Sequence, residues 1–312
     1  MTAEGDVVRL GLIGAGPWGR NYIRTIAAMD GVRLTRIASR NPESARLAGP
    51  GVTIAADWRT LLAAGDLDGV IVAAPPARHA EMTLAAIDAG IPVLVEKPMA
   101  LGPDDARAVL ALAQARNAIV KVDHIHLYSA AWQALKREAG TLGPVRAVMG
   151  EAGRWGPFRR DATALWEWGP HDVAMCVDLM GRVPKAIAAR RLEARHTADG
   201  PGETLELDLG FGDARATIML SNLLPERRRR FAVTLEKGAL VYDDSRDQKL
   251  VKGKSWATAD QAVPLPPGRP LERAVRSFAD AIRRGLPDAA DAQLGCEVVG
   301  LLARLDTLLG AP

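Results

Sequence analysis

A lysine at the carboxyl end of an apolar run is expensive to bury without a partner or a task. Lys97 stands in that position, in Glu96-Lys97-Pro98, directly after Val93-Leu94-Val95. Beside a hydride acceptor its ammonium could hydrogen-bond a carbinol oxygen and keep it close, with Glu96 holding the lysine in place. The same two residues would serve equally as a surface ion pair at a strand end. A second cluster, Glu167-Trp168-Gly169-Pro170-His171-Asp172, offers an imidazole for proton transfer. Pro170 favours a helix start, so the spacing predicts His171 in the first turn of a helix whose apolar face is Val173, Cys176, Val177 and Met180. The positive end of the helix dipole would keep that imidazole neutral and able to accept a proton. Alone, such a histidine would only satisfy a helix end. Glu167, one helical turn earlier, makes the two an acid–base candidate.

What lies next to these groups is indicated at the start of the chain. The apolar run Val7 to Ile13 leads into Gly14-Ala15-Gly16-Pro17-Trp18-Gly19. A strand running through Gly-x-Gly-x-x-Gly into a helix is a dinucleotide-phosphate cradle. Gly14 permits the tight turn, Gly16 lets a pyrophosphate approach the backbone, and Gly19 lets helix pack on strand. The phosphates would meet the free N–H groups of the helix start. The next strand, Val32 to Ala38, ends in Ser39-Arg40, where an acid normally holds the ribose hydroxyl of NAD. Ser39 can hydrogen-bond a 2′-phosphate and Arg40 can pair with it or stack on adenine, so the expected cofactor is NADP rather than NAD. A solvated Arg40 with no ligand is the plainer alternative.

These groups need a scaffold, and the pattern supplies one. Up to Val122, continuous apolar strands alternate with helices: strands near 52–54, 69–74, 91–95 and 119–122, helices near 43–48 (opened by Asn41-Pro42), 58–64, 79–89 and 103–116. That is a parallel sheet covered on both faces, an α/β doubly wound Rossmann sheet, with ligand at the carboxyl ends of its strands. Beyond it the pattern changes. Helices at 128–139 and 166–180 flank a strand at 145–152. Alternating runs at 186–194, 204–211, 214–220 and 231–236 follow, and Lys237-Gly238 turns the chain into Ala239 to Tyr242. These predict an α+β domain with a mostly antiparallel open sheet. Residues 243–269 read as loop, and helices at 270–284 and 288–309 finish the chain. The expected domains are 1–123, binding the cofactor, and 124–312, binding substrate and mediating assembly.

Composition sets limits. The 312 residues carry a formal net charge of +3, with 48% hydrophobic and 25% charged residues, ordinary for a globular protein. The basic residues are spread except for Arg227 to Arg230, which read as a solvated strand edge or interface, so no nucleic acid is expected. Cys176 and Cys296 read as small reduced core residues. No metal site is expected. Met1 to Asp6 show no basic export-signal region, and no apolar run is long enough for a bilayer. The expected compartment is the cytoplasm, with no membrane partner.

Together these elements resemble the Gfo/Idh/MocA oxidoreductase family. The matching residues are Gly14 to Gly19, Ala74-Pro75-Pro76-Ala77-Arg78-His79, Val93 to Pro98, the Glu167-x-x-x-His171 pair, and Ser277 to Gly285 in the closing helix. The resemblance implies a cofactor lined by Pro17 and Trp18 beside the glycines, and by Ala74, Pro75, His79, Glu96 and Lys97. It implies that Lys97 positions the substrate oxygen and His171 acts as acid or base, and that the Pro98 peptide is often cis. Glu167 stands where the family commonly has Asp, one methylene shorter. Gly16 to Tyr22, Asp123 to Ser129 and Leu165 to Asp172 are most similar to the nucleotide-sugar dehydrogenase branch, although Ala130 replaces its usual Pro. On that likeness Tyr128, Arg154 and Trp155 are candidate substrate contacts, and Arg159 and Arg160 could also meet an acidic group. A solvated loop explains these arginines equally well. A homodimer or homotetramer through the C-terminal sheet is implied by the same likeness.

The expected function is therefore hydride transfer between NADP and the hydroxyl or ketone of a sugar, polyol or nucleotide-linked sugar. Two alternatives stay open: reduction of a non-sugar imine or conjugated acceptor on the same scaffold, and a non-catalytic NADP sensor. A sensor needs neither Lys97 nor His171, and fold alone does not decide between them.

Overall fold

The computed structural model describes residues 7–41, 43–158 and 163–310. Pro42, Arg159, Arg160 and the N-terminal stretch Met1 to Asp6 read above lie outside the described residues. Contacts divide the chain into two compact units. One holds the residues up to Ile125 together with Arg269–Val299; the other holds His126–Gly268 and the residues from Gly300 on.

In the first unit, β1 (Val8–Ile13), β2 (Val32–Ala38), β3 (Thr53–Ala55), β4 (Gly69–Val72), β5 (Val93–Glu96) and β6 (Val120–Asp123) form one parallel sheet in the order β3-β2-β1-β4-β5-β6. The connecting helices are α1 (Gly19–Ala27), α2 (Ser44–Ala48), α3 (Trp58–Leu62), α4 (His79–Asp88) and α5 (Pro103–Ala115). Chain order reverses between β1 and β4, which opens a ligand crevice at the carboxyl ends of those strands. The strands are buried because both faces are covered: Leu10, Leu12, Ile37, Ile71 and Leu94 share a core with Tyr22, Ile23 and Ile26 of α1.

The same core takes in Leu271, Val275, Phe278 and Ala279 from α8 (Pro270–Arg284). Their spacing is that of one helical stripe, so α8 must bury it, and it does so against the parallel sheet's core. This corrects the single break expected at 123/124: the stretch from Arg269 to Val299 returns to the first unit because its apolar stripe fits there. Asp288 then bridges to Ile119 beside β6, and α9 (Ala290–Leu309) carries the chain from one unit into the other.

The second unit is built on eight strands. These are β7 (Val145–Trp155), β8 (Ala186–Thr197), β9 (Gly200–Gly210), β10 (Arg215–Ser221), β11 (Leu223–Leu235), β12 (Gly238–Asp243), β13 (Leu250–Gly253) and β14 (Gln261–Ala262), in the order β14-β13-β12-β11-β7-β10-β9-β8. All pairs are antiparallel except β7 with β10. One sheet face, with Leu205, Leu207, Ile218, Leu220, Phe231 and Val233, is buried. The helices α6 (Ala130–Leu142) and α7 (Ala164–Met180) pack on this sheet. Strands β13 and β14 arise inside the stretch read as loop. They are too short to show alternation; β13 is held by pairing to β12, and β14 by pairing to β13.

Candidate active site

The cradle begins where β1 ends. Gly14 has φ +100°, and a Cβ there would stand 2.5 Å from the Ala73 carbonyl oxygen after β4, so only glycine fits. A Cβ on Gly19 would collide with the Gly14 carbonyl. Gly16 is exposed, and nothing lies within 4 Å of where its Cβ would be, which leaves its backbone open to a pyrophosphate. Pro17 and Trp18 are exposed beside it. At the end of β2, Ser39 Oγ accepts from the Asn41 N–H (3.1 Å) and from the Ser44 hydroxyl (2.8 Å). Its own hydroxyl proton remains for a further acceptor. Arg40 is exposed and makes no ion pair among the described residues. A dinucleotide fits this donor set: open N–H groups for the pyrophosphate, and a hydroxyl and a guanidinium beyond the second strand.

The second half of this site lies at the ends of β4, β5 and β6. Ala74 and Pro75 follow β4, and His79 opens α4 with its ring buried. His79 Nδ1 lies 2.8 Å from the Pro98 carbonyl oxygen and Nε2 lies 2.8 Å from that of Ala74, so one ring ties the turn after β4 to the end of β5. Burial lowers its pKa, while the two carbonyls oppose that shift. The Lys97–Pro98 peptide is cis. Lys97 is half-buried, and its charge bears on His79, Glu96, Asp123 and His124.

Glu96 is buried and accepts from the Trp18 indole N–H, the Tyr22 hydroxyl (2.9 Å) and the Lys97 N–H (3.3 Å). Tyr22 Oη also lies 2.5 Å from Asp123 Oδ2, and Asp123 sits directly opposite Glu96 in the sheet register. Burial raises both carboxyls, Asp123 to about 6 and Glu96 well above its usual value, each also under the influence of neighbouring charge. His124 is buried, with neither ring nitrogen hydrogen-bonded among the described residues, and burial followed by the Lys97 charge pushes it down to about 3.

In the second unit the structure corrects one expectation. α7 begins after Thr163 and runs through Pro170, so His171 lies beyond the first turn. The dipole effect fades within that turn and does not act on His171 as expected. Pro170 is an interior residue, buried beside Gly169. Glu167 and His171 remain one turn apart on the helix, both half-buried. The His171 ring stands edge-on to His126, with centroids 4.9 Å apart, and His126 Nδ1 lies 3.2 Å from Tyr242 Oη. Burial raises Tyr242. Tyr128 ends the short turn that carries His126. Arg154 and Trp155 end β7, exposed, with Trp155 edge-on to Phe158.

The arginine run is not wholly solvated. Arg229 is 2% exposed and ion-paired to the fully buried Asp172 of α7, with Trp168 against its guanidinium. Arg227 pairs with Asp244 at 2.8 Å. Of the cysteines, Cys176 is buried and Cys296 half-buried, both free. Tyr22, Asp123, His126, Tyr242 and Arg229 were not assigned site roles from sequence. The Asp-His-x-His run from 123 to 126, which places polar side chains at the end of an apolar strand, was the available signal.

The fold and cradle define a dinucleotide-binding protein of the Rossmann class. Residues 8–124 match the model of the Gfo/Idh/MocA oxidoreductase family with an NAD-binding Rossmann fold. A crystal structure from Magnetospirillum magnetotacticum MS-1, described as an oxidoreductase without a stated substrate, is 42% identical, with 96% of this chain and all of that one covered at a TM-score of 0.91. The chain belongs to the Gfo/Idh/MocA family of NAD(P) oxidoreductases. UDP-N-acetylglucosamine 3-dehydrogenase from Acidithiobacillus ferrooxidans is 25% identical, with 96% and 97% of the two chains covered and a TM-score of 0.83. Inositol 2-dehydrogenase from Klebsiella pneumoniae (strain 342) is 35% identical over 136 residues, which are 42% of this chain and 40% of that enzyme. Among the described residues no helix is long and apolar enough to cross a membrane.

Proposed function

We propose that this protein transfers a hydride between NADP and the CH–OH carbon of a sugar, polyol or nucleotide-linked sugar, or the corresponding ketone. The observation that carries the reading is Lys97 at the carboxyl end of β5, its charge acting on His79, Glu96 and His124 in the unit that carries the dinucleotide cradle. The nicotinamide supplies or accepts the hydride when bound. Lys97 hydrogen-bonds the substrate oxygen and stabilises charge that develops on it. His171 exchanges the proton of that oxygen, with Glu167 on the same helix face. Tyr128, Arg154 and Trp155 contribute to substrate contact. NADP is favoured over NAD by the absence of an acid at the end of β2 and by the free proton of Ser39 beside Arg40. The substrate class is supported by the similarity to enzymes named for inositol and for a UDP-linked amino sugar.

A homodimer or homotetramer through the C-terminal sheet completes the reading. Met149 on β7 is 52% exposed, on the strand face opposite buried Val148, and Thr217 and Ala232 flank it in register. The decisive experiment follows NADPH and NADH oxidation with inosose, simple ketoses and 3-keto UDP-sugars, against a panel of small imines. Turnover of a keto-sugar with NADPH is expected. Turnover of imines alone, or a clear preference for NADH, overturns the corresponding part of the proposal.

A further inference from the structure

Tyr22 has one hydroxyl proton and two carboxyl neighbours, so only one of its contacts can carry that proton. Its Oη is 2.9 Å from Glu96 Oε1 and 2.5 Å from Asp123 Oδ2, and all three side chains are buried. Asp123 also takes a hydrogen bond from Glu96. With both carboxyls ionised, the Glu96 corner of this triangle would set lone pairs against lone pairs. A buried arrangement of this kind is satisfied only when one carboxyl keeps a proton.

The two contact lengths differ in the way a single charge requires. A hydroxyl donating to a carboxylate closes to about 2.5–2.7 Å, and a bond between neutral groups stays longer. The shorter contact is at Asp123 and the longer at Glu96. The other donors are compatible with a neutral Glu96. The Trp18 indole N–H reaches Oε1 and the Lys97 backbone N–H reaches Oε2. Both need only lone pairs, which a protonated carboxyl retains.

The surroundings act in the same sense. Burial raises both carboxyls, Glu96 well above its usual value and Asp123 to about 6, and the Asp123 charge raises Glu96 further. The Lys97 charge lowers both, whereas Asp291 of α9 raises Asp123. Lys121 offsets that acid, with its Nζ 3.8 Å from Asp291 and 2.5 Å from Asp288. His79 and His124 are both pushed toward the neutral form by burial and so add no charge near neutral pH.

We infer that Glu96 is a neutral acid near pH 7 and that Asp123 is the ionised member of the pair, receiving the protons of both Tyr22 and Glu96. Glu96 then holds Trp18 of the phosphate cradle and the backbone of Lys97 by hydrogen bonds alone. The negative charge that acts on the Lys97 ammonium comes from the neighbouring strand instead. A neutral Glu96 also puts no carboxylate directly behind the glycine loop, where a pyrophosphate would sit. Asp123 is thereby a positioning residue: it keeps the proton on Glu96 and supplies the charge that Lys97 faces. Carboxyls this close release their protons as a pair. The charge arrangement concerns the cofactor-free protein; only its consequence for Lys97 rests on the function proposed above.

Carboxyl 13C shifts of the unmutated, cofactor-free protein, each assigned through its own backbone, read the pair directly. At pH 7 a protonated value for Glu96 and an ionised value for Asp123 are expected, with Asp123 titrating near pH 6. The reverse, two ionised values or two protonated values overturns the inference. Glu96→Gln supplies a second measurement, because the amide imitates a neutral acid that both donates and accepts. Asp123 in that variant is expected to titrate within about one pH unit of its position in the parent. A larger fall would mean that the parent's Glu96 carries the charge, and overturns the inference. These readouts need neither cofactor nor substrate, so their failure is distinguishable from failure of the catalytic assignment of Lys97.

Discussion

His126 stands edge-on to His171, with ring centroids 4.9 Å apart and planes at 87°. His126 in turn lies 3.2 Å from the Tyr242 hydroxyl. The orientation of the proposed proton-transfer imidazole is thus set by packing within its own unit rather than by a helix terminus. His171→Ala is expected to lower kcat by about 10²–10⁴-fold and to remove one limb of the pH–rate profile. His126→Phe keeps an edge-on ring but loses the link to Tyr242, and should lower kcat by less. A His171→Ala profile with the parent's shape and height would remove His171 from the mechanism.

Lys97→Ala should abolish turnover, by about 10³-fold or more, and leave NADPH binding nearly unchanged, because the proposed contact of its ammonium is with substrate. Steady-state kinetics beside a fluorescence titration of NADPH separate the two quantities. Unchanged kcat is the outcome that refutes the role.

Arg40→Asp tests the cofactor. Exchanging a guanidinium for a carboxylate beside Ser39 should raise the KM for NADPH about 10–100-fold and affect NADH little. If both cofactors respond alike, Arg40 does not face the 2′-phosphate.

Asp172 and Arg229 form a buried ion pair, 0% and 2% exposed. Removing one partner strands the other, so Arg229→Met should destabilise the fold by about 3–5 kcal/mol in denaturant melts. The double variant Asp172→Leu with Arg229→Met should recover much of that loss. A single variant as stable as the parent would mean that the pair is dispensable.

Asp123 gives a pH dependence of stability with a definite sign. Its folded pKa is raised to about 6 from an ordinary 3.8, so the folded state holds this proton where the unfolded chain has lost it. Stability from this group therefore falls as pH rises from about 4 to about 6, and the penalty is complete above that range, at no more than roughly 3 kcal/mol. Asp123→Asn has no proton to lose. Its melting temperature relative to the parent should be higher at pH 7.5 than at pH 4.5; an equal difference at both values would contradict the raised pKa.

The cradle and the parallel sheet were legible because their signals are local: apolar strands, glycines at fixed spacing, and caps within a few residues. Lys97 was legible for the same reason, as a charge at the end of an apolar run. The start of α7 was not. Pro170 suits a first helical position, but Thr163 opens the helix and the tertiary burial of Leu165 and Gly169 carries it past the proline. The arginines from 227 to 230 looked solvated because the acid that buries Arg229 comes from α7, far away in sequence. Tyr22, Glu96 and Asp123 meet only through the pairing of β5 with β6 and the placement of α1 against them, which no short window of residues encodes.

Because Val275, Phe278 and Ala279 belong to the same core as Leu10 and Ile71, the nucleotide-binding half is closed by residues translated well after its six strands. A ribosome that has released only the first 125 residues has not yet delivered the stripe that seals them. A fragment cut there should expose apolar surface and bind hydrophobic dyes, and α8 supplied as a separate peptide is the natural candidate to rescue it.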